Sequence, residues 1–302
     1  MSEPQRVEAV VPGILSDRKM DFSDISRNVE VVAGGSGSDA ILAAFVAERK
    51  QLNRITVVTN GGGDDLQWVT AQFPNAKPIA GTEGRAFRIP RGSVLSPTHQ
   101  KKKDSRAQTH HYINHAATMM DVIWVLPRSK DVGELTNIFK FCFDSAEALV
   151  VDQGGDALNT KEVDGVPYED DYVALMAVQA TGRPTQAVIV GCGTDGQSSP
   201  EEWVKQAKAF KKKHGAEICG LILGNFDLQK LFRDFAGAFG SDGTRRTYDH
   251  LLAAHDRIDN GQEDIPYLVE RAHLQPNGPP LWNIKDMTQC LVIPLPFATG
   301  PQ

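Results

Sequence analysis

Short unbroken runs of apolar, largely β-branched residues alternate along this chain with longer mixed stretches, and a glycine-rich turn usually separates the two. Val29–Ala33 runs into Gly34-Gly35-Ser36-Gly37-Ser38-Asp39 and then Ala40–Lys50, which is rich in alanine and ends charged. Ile55–Thr59 leads to Asn60-Gly61-Gly62-Gly63-Asp64-Asp65 and Leu66–Phe73. Ala148–Val151 reaches Asp152-Gln153-Gly154-Gly155-Asp156 and, after a loop, Glu169–Thr181. Ala187–Val190 ends in Gly191-Cys192-Gly193-Thr194-Asp195-Gly196, and a helical stretch follows to Lys213, with Ser199 placed to cap it and Pro200 in its first turn. Asp121–Leu126 and Ile218–Leu223 complete six strand candidates. Apolar runs that do not alternate belong to strands buried on both faces. The pattern therefore predicts an α/β fold, a doubly wound, mostly parallel, Rossmann-like sheet with helices on both faces.

Three stretches fall outside this rhythm. Residues 1–28 read as a lead-in to a core over 29–239. Residues 74–105, with Pro74, Pro78, Pro90 and Pro97, read as a long loop or a small insertion, and long loops in compact domains are often functional lids. Residues 240–302, with a helical stretch at Thr244–Asp259 and a proline-rich end, read as a C-terminal accessory segment packed on the core.

Composition narrows the function classes. The chain has 302 residues, 41% hydrophobic and 23% charged, which excludes a collagen-like or disordered protein. A net charge of −6, with only Lys101–Lys103 and Lys211–Lys213 as basic runs, disfavours a nucleic-acid partner. No apolar run reaches the ~18 residues of a membrane span, and Met1–Gly13 is too polar for a signal peptide. The four cysteines, Cys142, Cys192, Cys219 and Cys290, form no C-x-x-C pair and suit a reducing compartment. The expectation is a soluble cytoplasmic protein with a small-molecule substrate, no nucleic-acid or membrane partner, and room for homo-oligomerisation.

In a parallel sheet the loops that follow the strands leave along one edge, where ligands bind. Four such loops here are glycine-rich, and each carries an aspartate. The candidate ligand-binding residues are Gly34, Gly35, Ser36, Gly37, Ser38 and Asp39 in the first loop, and Asn60, Gly61, Gly62 and Asp64 in the second. Gly154 and Gly155 in the third, with Gly191, Gly193 and Asp195 in the fourth, complete the set. Glycines let backbone N–H groups approach a ligand closely, and a helix N-terminus favours an anion. Aspartates suit Mg²⁺, hydroxyl or amino groups, or proton transfer. Asp152, Asp156 and Asp170 are the candidate metal ligands or acid/base groups, with Asp170 drawn from Glu169-Asp170-Asp171, which otherwise complements a helix dipole. His111, spaced four from His115, becomes a general acid/base candidate if the insertion folds over the edge.

Several motifs are near misses. Gly35-Ser36-Gly37-Ser38-Asp39-Ala40 matches the dinucleotide fingerprint, but Thr59-Asn60-Gly61 ends the second strand without the acidic residue that holds a ribose. NAD(P) or another nucleotide is therefore the weaker cofactor, with Mg²⁺ the leading one. No phosphate-loop string is present. Ser36 sits in an incomplete nucleophile elbow, and Cys192 reads as a small packed residue.

The first glycine–aspartate loop, Asp152-Gln153-Gly154-Gly155-Asp156-Ala157-Leu158, Glu169-Asp170-Asp171 and Gly191-Cys192-Gly193-Thr194-Asp195-Gly196 together resemble the family called domain of unknown function 1152. The likeness covers roughly residues 29–225 and leaves residues 74–105 and the tail after Gly240 unmatched. It implies a Rossmann-type fold with a shared loop edge and no particular reaction. The residues point to a small-metabolite enzyme, most simply a hydrolase or transferase using metal or acid/base assistance on a phosphorylated, nucleotide-like or amino-acid-like substrate. A non-catalytic sensor with the same crevice and a nicotinamide-dependent oxidoreductase are the alternatives.

Overall fold

The computed structural model describes residues 18–35, 37–59, 66–96, 105–167, 169–223, 228–238, 243–269 and 280–296. In chain order its elements are β1 (Lys19–Asp21), β2 (Val29–Ala33), α1 (Gly37–Arg49), β3 (Arg54–Val58), α2 (Leu66–Gln72), β4 (Lys77–Pro78) and β5 (Ala86–Ile89). Next come α3 (Ser105–Met119), β6 (Asp121–Val125), α4 (Val132–Cys142), β7 (Glu147–Gln153), the hairpin β8 (Glu162–Val163) and β9 (Val166–Pro167), and α5 (Asp170–Ala180). The chain continues through β10 (Thr185–Val190), α6 (Pro200–His214), β11 (Cys219–Ile222), α7 (Leu228–Ala238) and α8 (Gly243–Asp259). It ends with the antiparallel pair β12 (Tyr267–Leu268) and β13 (Leu281–Trp282), α9 (Ile284–Met287) and β14 (Cys290–Leu295). Ten described strands hydrogen-bond in the order β1-β11-β14-β10-β7-β2-β3-β6-β5-β4, the doubly wound, Rossmann-like arrangement expected. No described helix is long and apolar enough to cross a membrane.

The chain packs as two compact units. The first takes Ser26–Asp152, Thr160–Ala187 and the described residues of Leu295–Gln302. Within it β2 runs parallel to β3 and β7, and β3 parallel to β6. The chain goes from β2 through β3 to β6 on one side, then jumps to β7 on the other side of β2, so the direction reverses at β2 and β7. Right-handed crossovers then place α1 and α3 on one face and α4 and α5 on the other. The observed packing of α1 on α3 and of α4 on α5 agrees. All five residues of β2 are buried, Glu30 included. That carboxylate is tolerated because Arg54 pairs with it at 2.6 Å and the Thr56 hydroxyl donates to it at 3.0 Å.

The second unit takes the described residues of Met1–Ile25, with Gln153–Asn159 and Val188–Pro294. Here β1 lies parallel to β11, and β14 is antiparallel to β11. α6 starts as expected, Ser199 and Glu202 forming a reciprocal capping box with Pro200 in the first turn, and Gly215 ends it in the left-handed conformation.

Three findings depart from the sequence expectation. The stretch expected to be a long loop or a small insertion contains β4 and β5, antiparallel strands at the edge beyond β6 where no strand was expected; Pro78 in β4 hides the strand, and an edge position is where proline is tolerated. Cys290–Leu295, in the expected accessory tail, is a sheet strand between β11 and β10, masked by Pro294. Lys19–Asp21, in the lead-in, is also a strand, too short and polar to announce itself.

Candidate functional site

Because β2, β3, β6 and β7 are mutually parallel, the segments that follow them leave at one edge of the first unit. A pocket of about 170 Å³ opens there. Gly34 and Gly35 follow β2, Val58 and Thr59 end β3, Pro127, Ser129 and Lys130 follow β6, and Leu135, Asp170 and Val173 come from α4 and α5. The Thr59 hydroxyl accepts a hydrogen bond from Trp124 Nε1 at 2.8 Å, which leaves its own O–H to donate. Lys130 Nζ lies 2.9 Å from Asp170 Oδ1, each side chain about one-third exposed, at 35% and 36%. Backbone N–H groups, hydroxyls and an ammonium are the groups that hold a phosphate or carboxylate.

Behind this wall sits a buried carboxylate that the sequence reading passed over in favour of its neighbour. Asp171 is 6% exposed, and its Oδ1 accepts no hydrogen bond. A Cβ added to Gly34 would meet Asp171 Oδ1 at 3.0 Å, and one added to Gly35 would meet Asp171 Oδ2 at 2.1 Å. The two glycines are thus required by the close approach of a carboxylate. An oxygen of Asp152, at the end of β7 and fully buried, lies within 4.8 Å of an Asp171 oxygen. Two negative charges at that spacing repel by about 3.5 kcal/mol at an effective dielectric of ~20. Burial first, then the charges of Asp39, Asp152, Asp170 and Glu169, push the Asp171 carboxyl well above the ordinary carboxylate range. Asp39, in the first turn of α1, is itself 4% exposed.

Of the expected site residues in this unit, Gly34, Gly35 and Asp170 line the pocket, while Asp39 and Asp152 belong to the carboxylate group behind it. Gly37 and Ser38 open α1. Ser36, Asn60, Gly61, Gly62 and Asp64 lie outside the described residues. His111 is half-buried on α3 and is not among the residues lining the pocket. Thr59, Ser129, Lys130 and Asp171 were missed. The loop after β6 has no glycine–aspartate signature to mark it. Asp171 did carry a signal: it shares one helical row with Ala174, Leu175 and Val178, at the centre of the buried arc of α5.

In the second unit the third and fourth glycine loops interlock. Gly193 N–H donates to the Gly154 carbonyl at 2.8 Å, and Trp203 Nε1 donates to the same oxygen at 3.0 Å. A Cβ would meet Asp195 Cγ at 2.6 Å from Gly154, the Trp203 indole nitrogen at 2.4 Å from Gly155, Leu251 at 2.2 Å from Gly191 and the Trp282 ring at 1.9 Å from Gly193. Packing within the unit therefore accounts for these four glycines. Asp195 Oδ1 accepts from the Gln197 backbone at 3.0 Å, and Asp156 Oδ2 accepts from Gln197 Nε2 at 3.1 Å. Cys192 is fully buried, the packed role expected of it.

A further pocket of about 350 Å³ lies at the opposite edge of the first unit, lined in part by Glu30, Arg54, Arg88, Asp121 and Asp144. Every one of these charges is already ion-paired with another of them. No family model, curated protein or solved structure matches this chain.

Proposed function

We propose that this protein is an enzyme acting on a small phosphorylated, nucleotide-like or amino-acid-like metabolite, by hydrolysis or group transfer. The observation that carries the reading is the pocket at the carboxyl edge of β2, β3 and β6, where Gly34, Gly35, Thr59, Ser129 and Lys130 gather beside buried carboxylates. The pocket is at the reversal of strand direction, the place where open α/β sheets bind ligands. Lys130, held by Asp170, takes the anionic end of the substrate together with the Gly34 and Gly35 backbone. Asp152 and Asp171 supply the oxygens for proton transfer or for a metal ion.

Size narrows the substrate. About 170 Å³ is below the ~300–1,000 Å³ of sites that enclose drug-sized ligands. It admits one phosphate or carboxylate and a few carbons. A dinucleotide is disfavoured by that volume and by the absence of an acidic residue where β3 meets Thr59.

The test is a thermal-shift screen of phosphorylated metabolites, nucleotides and amino acids with and without Mg²⁺, followed by mass-spectrometric detection of product. Stabilisation of the wild type, its loss in K130M, and conversion of the stabilising compound are expected. Stabilisation without conversion makes the protein a sensor, and no stabilisation overturns the reading. Asp156 and His111 are examined separately, since D156N or H111N with full turnover removes that residue from the chemistry.

A further inference from the structure

We propose that the carboxylates of Asp171 and Asp152, lying at the reversal point of the sheet and against Gly34 and Gly35, form a site for a divalent cation of the Mg²⁺ or Mn²⁺ type. The donors are carboxylate oxygens alone, which select a hard cation. Their oxygens come within 4.8 Å of one another, and a small inward shift brings them to the ~4.2 Å that two opposite ligands of one Mg²⁺ span. An independent feature supports the site. Asp171 Oδ1 is buried and accepts no hydrogen bond, although buried polar oxygens are almost always satisfied, and it belongs to the carboxylate that has an oxygen within 4.8 Å of one from Asp152. Gly34 and Gly35 keep the approach to that carboxylate clear, since any side chain at Gly35 would collide with it.

The assignment differs from the one suggested by the sequence. Asp170 is engaged by Lys130, so it steers the lysine, and Asp171 faces Asp152. The inference rests on the reading that the neighbouring pocket holds an anion. A cation there lets an anionic group and two buried carboxylates occupy adjacent space.

The experiment is a Mn²⁺ titration of the full chain followed by electron paramagnetic resonance of free Mn²⁺, without substrate. One bound Mn²⁺ per chain is expected, displaced by excess Mg²⁺, with affinity falling at least ~10-fold in D171N and in D152N and unchanged in D144N, a change at an exposed aspartate. A measurement on the wild type alone accompanies it: Mn²⁺ broadens the amide resonances of Gly35, Asp152 and Asp171 before those of Asp121 and Asp144. Absence of saturable binding, undiminished affinity in a folded D171N, or broadening centred elsewhere overturns the site. Phosphate binding in the Lys130 pocket, measured separately in a metal chelator, shows whether the anion reading fails with it or stands.

Discussion

The carboxylate of Asp171 approaches the backbone of Gly35 so closely that a methyl group on Gly35 would come 2.1 Å from Asp171 Oδ2. Gly35 does not adopt a left-handed φ, so the need for glycine is one of space. Gly35→Ala must displace the carboxylate or the turn. Overpacking of this kind costs about 1–3 kcal/mol, which lowers Tm by roughly 2–10 °C in a chain of this size. Gly220→Ala, where the nearest atom to the new Cβ is 3.8 Å away, serves as the tolerated control. Thermal melts of the two variants distinguish the cases.

Lys130 separates binding from stability. Its ion pair with Asp170 is one-third exposed, and such pairs contribute about 0–1 kcal/mol. Lys130→Met is therefore expected to melt within a few degrees of wild type. Its affinity for inorganic phosphate, measured by calorimetry, is expected to fall about tenfold, or ~1.4 kcal/mol. An unchanged affinity removes Lys130 from the pocket's function.

Asp121 predicts the shape of the acid limb of stability. Burial pushes its carboxyl upward, but the Arg91 backbone N–H at 2.8 Å and the Arg88 guanidinium, with Nε at 2.9 Å, outweigh burial and hold it below the usual range. A depressed folded value means the contribution is present above the ordinary carboxylate range and disappears as pH falls through the depressed one. Wild type is expected to exceed D121N in stability at neutral pH by less than ~1 kcal/mol, the arginine being well exposed, and the difference is expected to vanish once the pH has fallen through the depressed value. Urea unfolding at several pH values measures it.

The thiols are expected to be silent. All four cysteines are buried thiols, and burial pushes those of Cys142 and Cys290 up to about 12. Thiolate is the reactive form. A disulfide reagent at pH 8 is expected to leave the folded protein unmodified over minutes and to titrate all four groups in denaturant. Rapid reaction of any cysteine in the native state contradicts the burial.

The parts of the fold that were legible in the sequence are those whose signal is local. β2, β3, β6, β7, β10 and β11 are apolar runs bounded by turns, and they lie within a few residues of where the pattern put them. β4 and β14 were hidden by Pro78 and Pro294, and β1 by its polar residues, because their pairing depends on distant partners. The site divides in the same way. Gly34 and Gly35 announced themselves as a turn after a strand. Asp170 and Asp171 are adjacent and chemically identical, and only the helical phase of α5 sends one toward Lys130 and the other toward Asp152. Lys130 and Ser129 reach the pocket through the pairing of β6 with β3, a long-range relationship that the short loop after β6 does not encode.

The central claim is that the edge pocket binds an anion-bearing small molecule, and amide chemical shifts during a phosphate titration test it most directly. Saturable shifts concentrated at Gly34, Gly35, Thr59, Ser129 and Lys130, with Asn53, Arg54 and Arg88 at the opposite edge unmoved, are the result this account predicts. Shifts confined to the opposite edge, or none at concentrations that stabilise the protein, would contradict it.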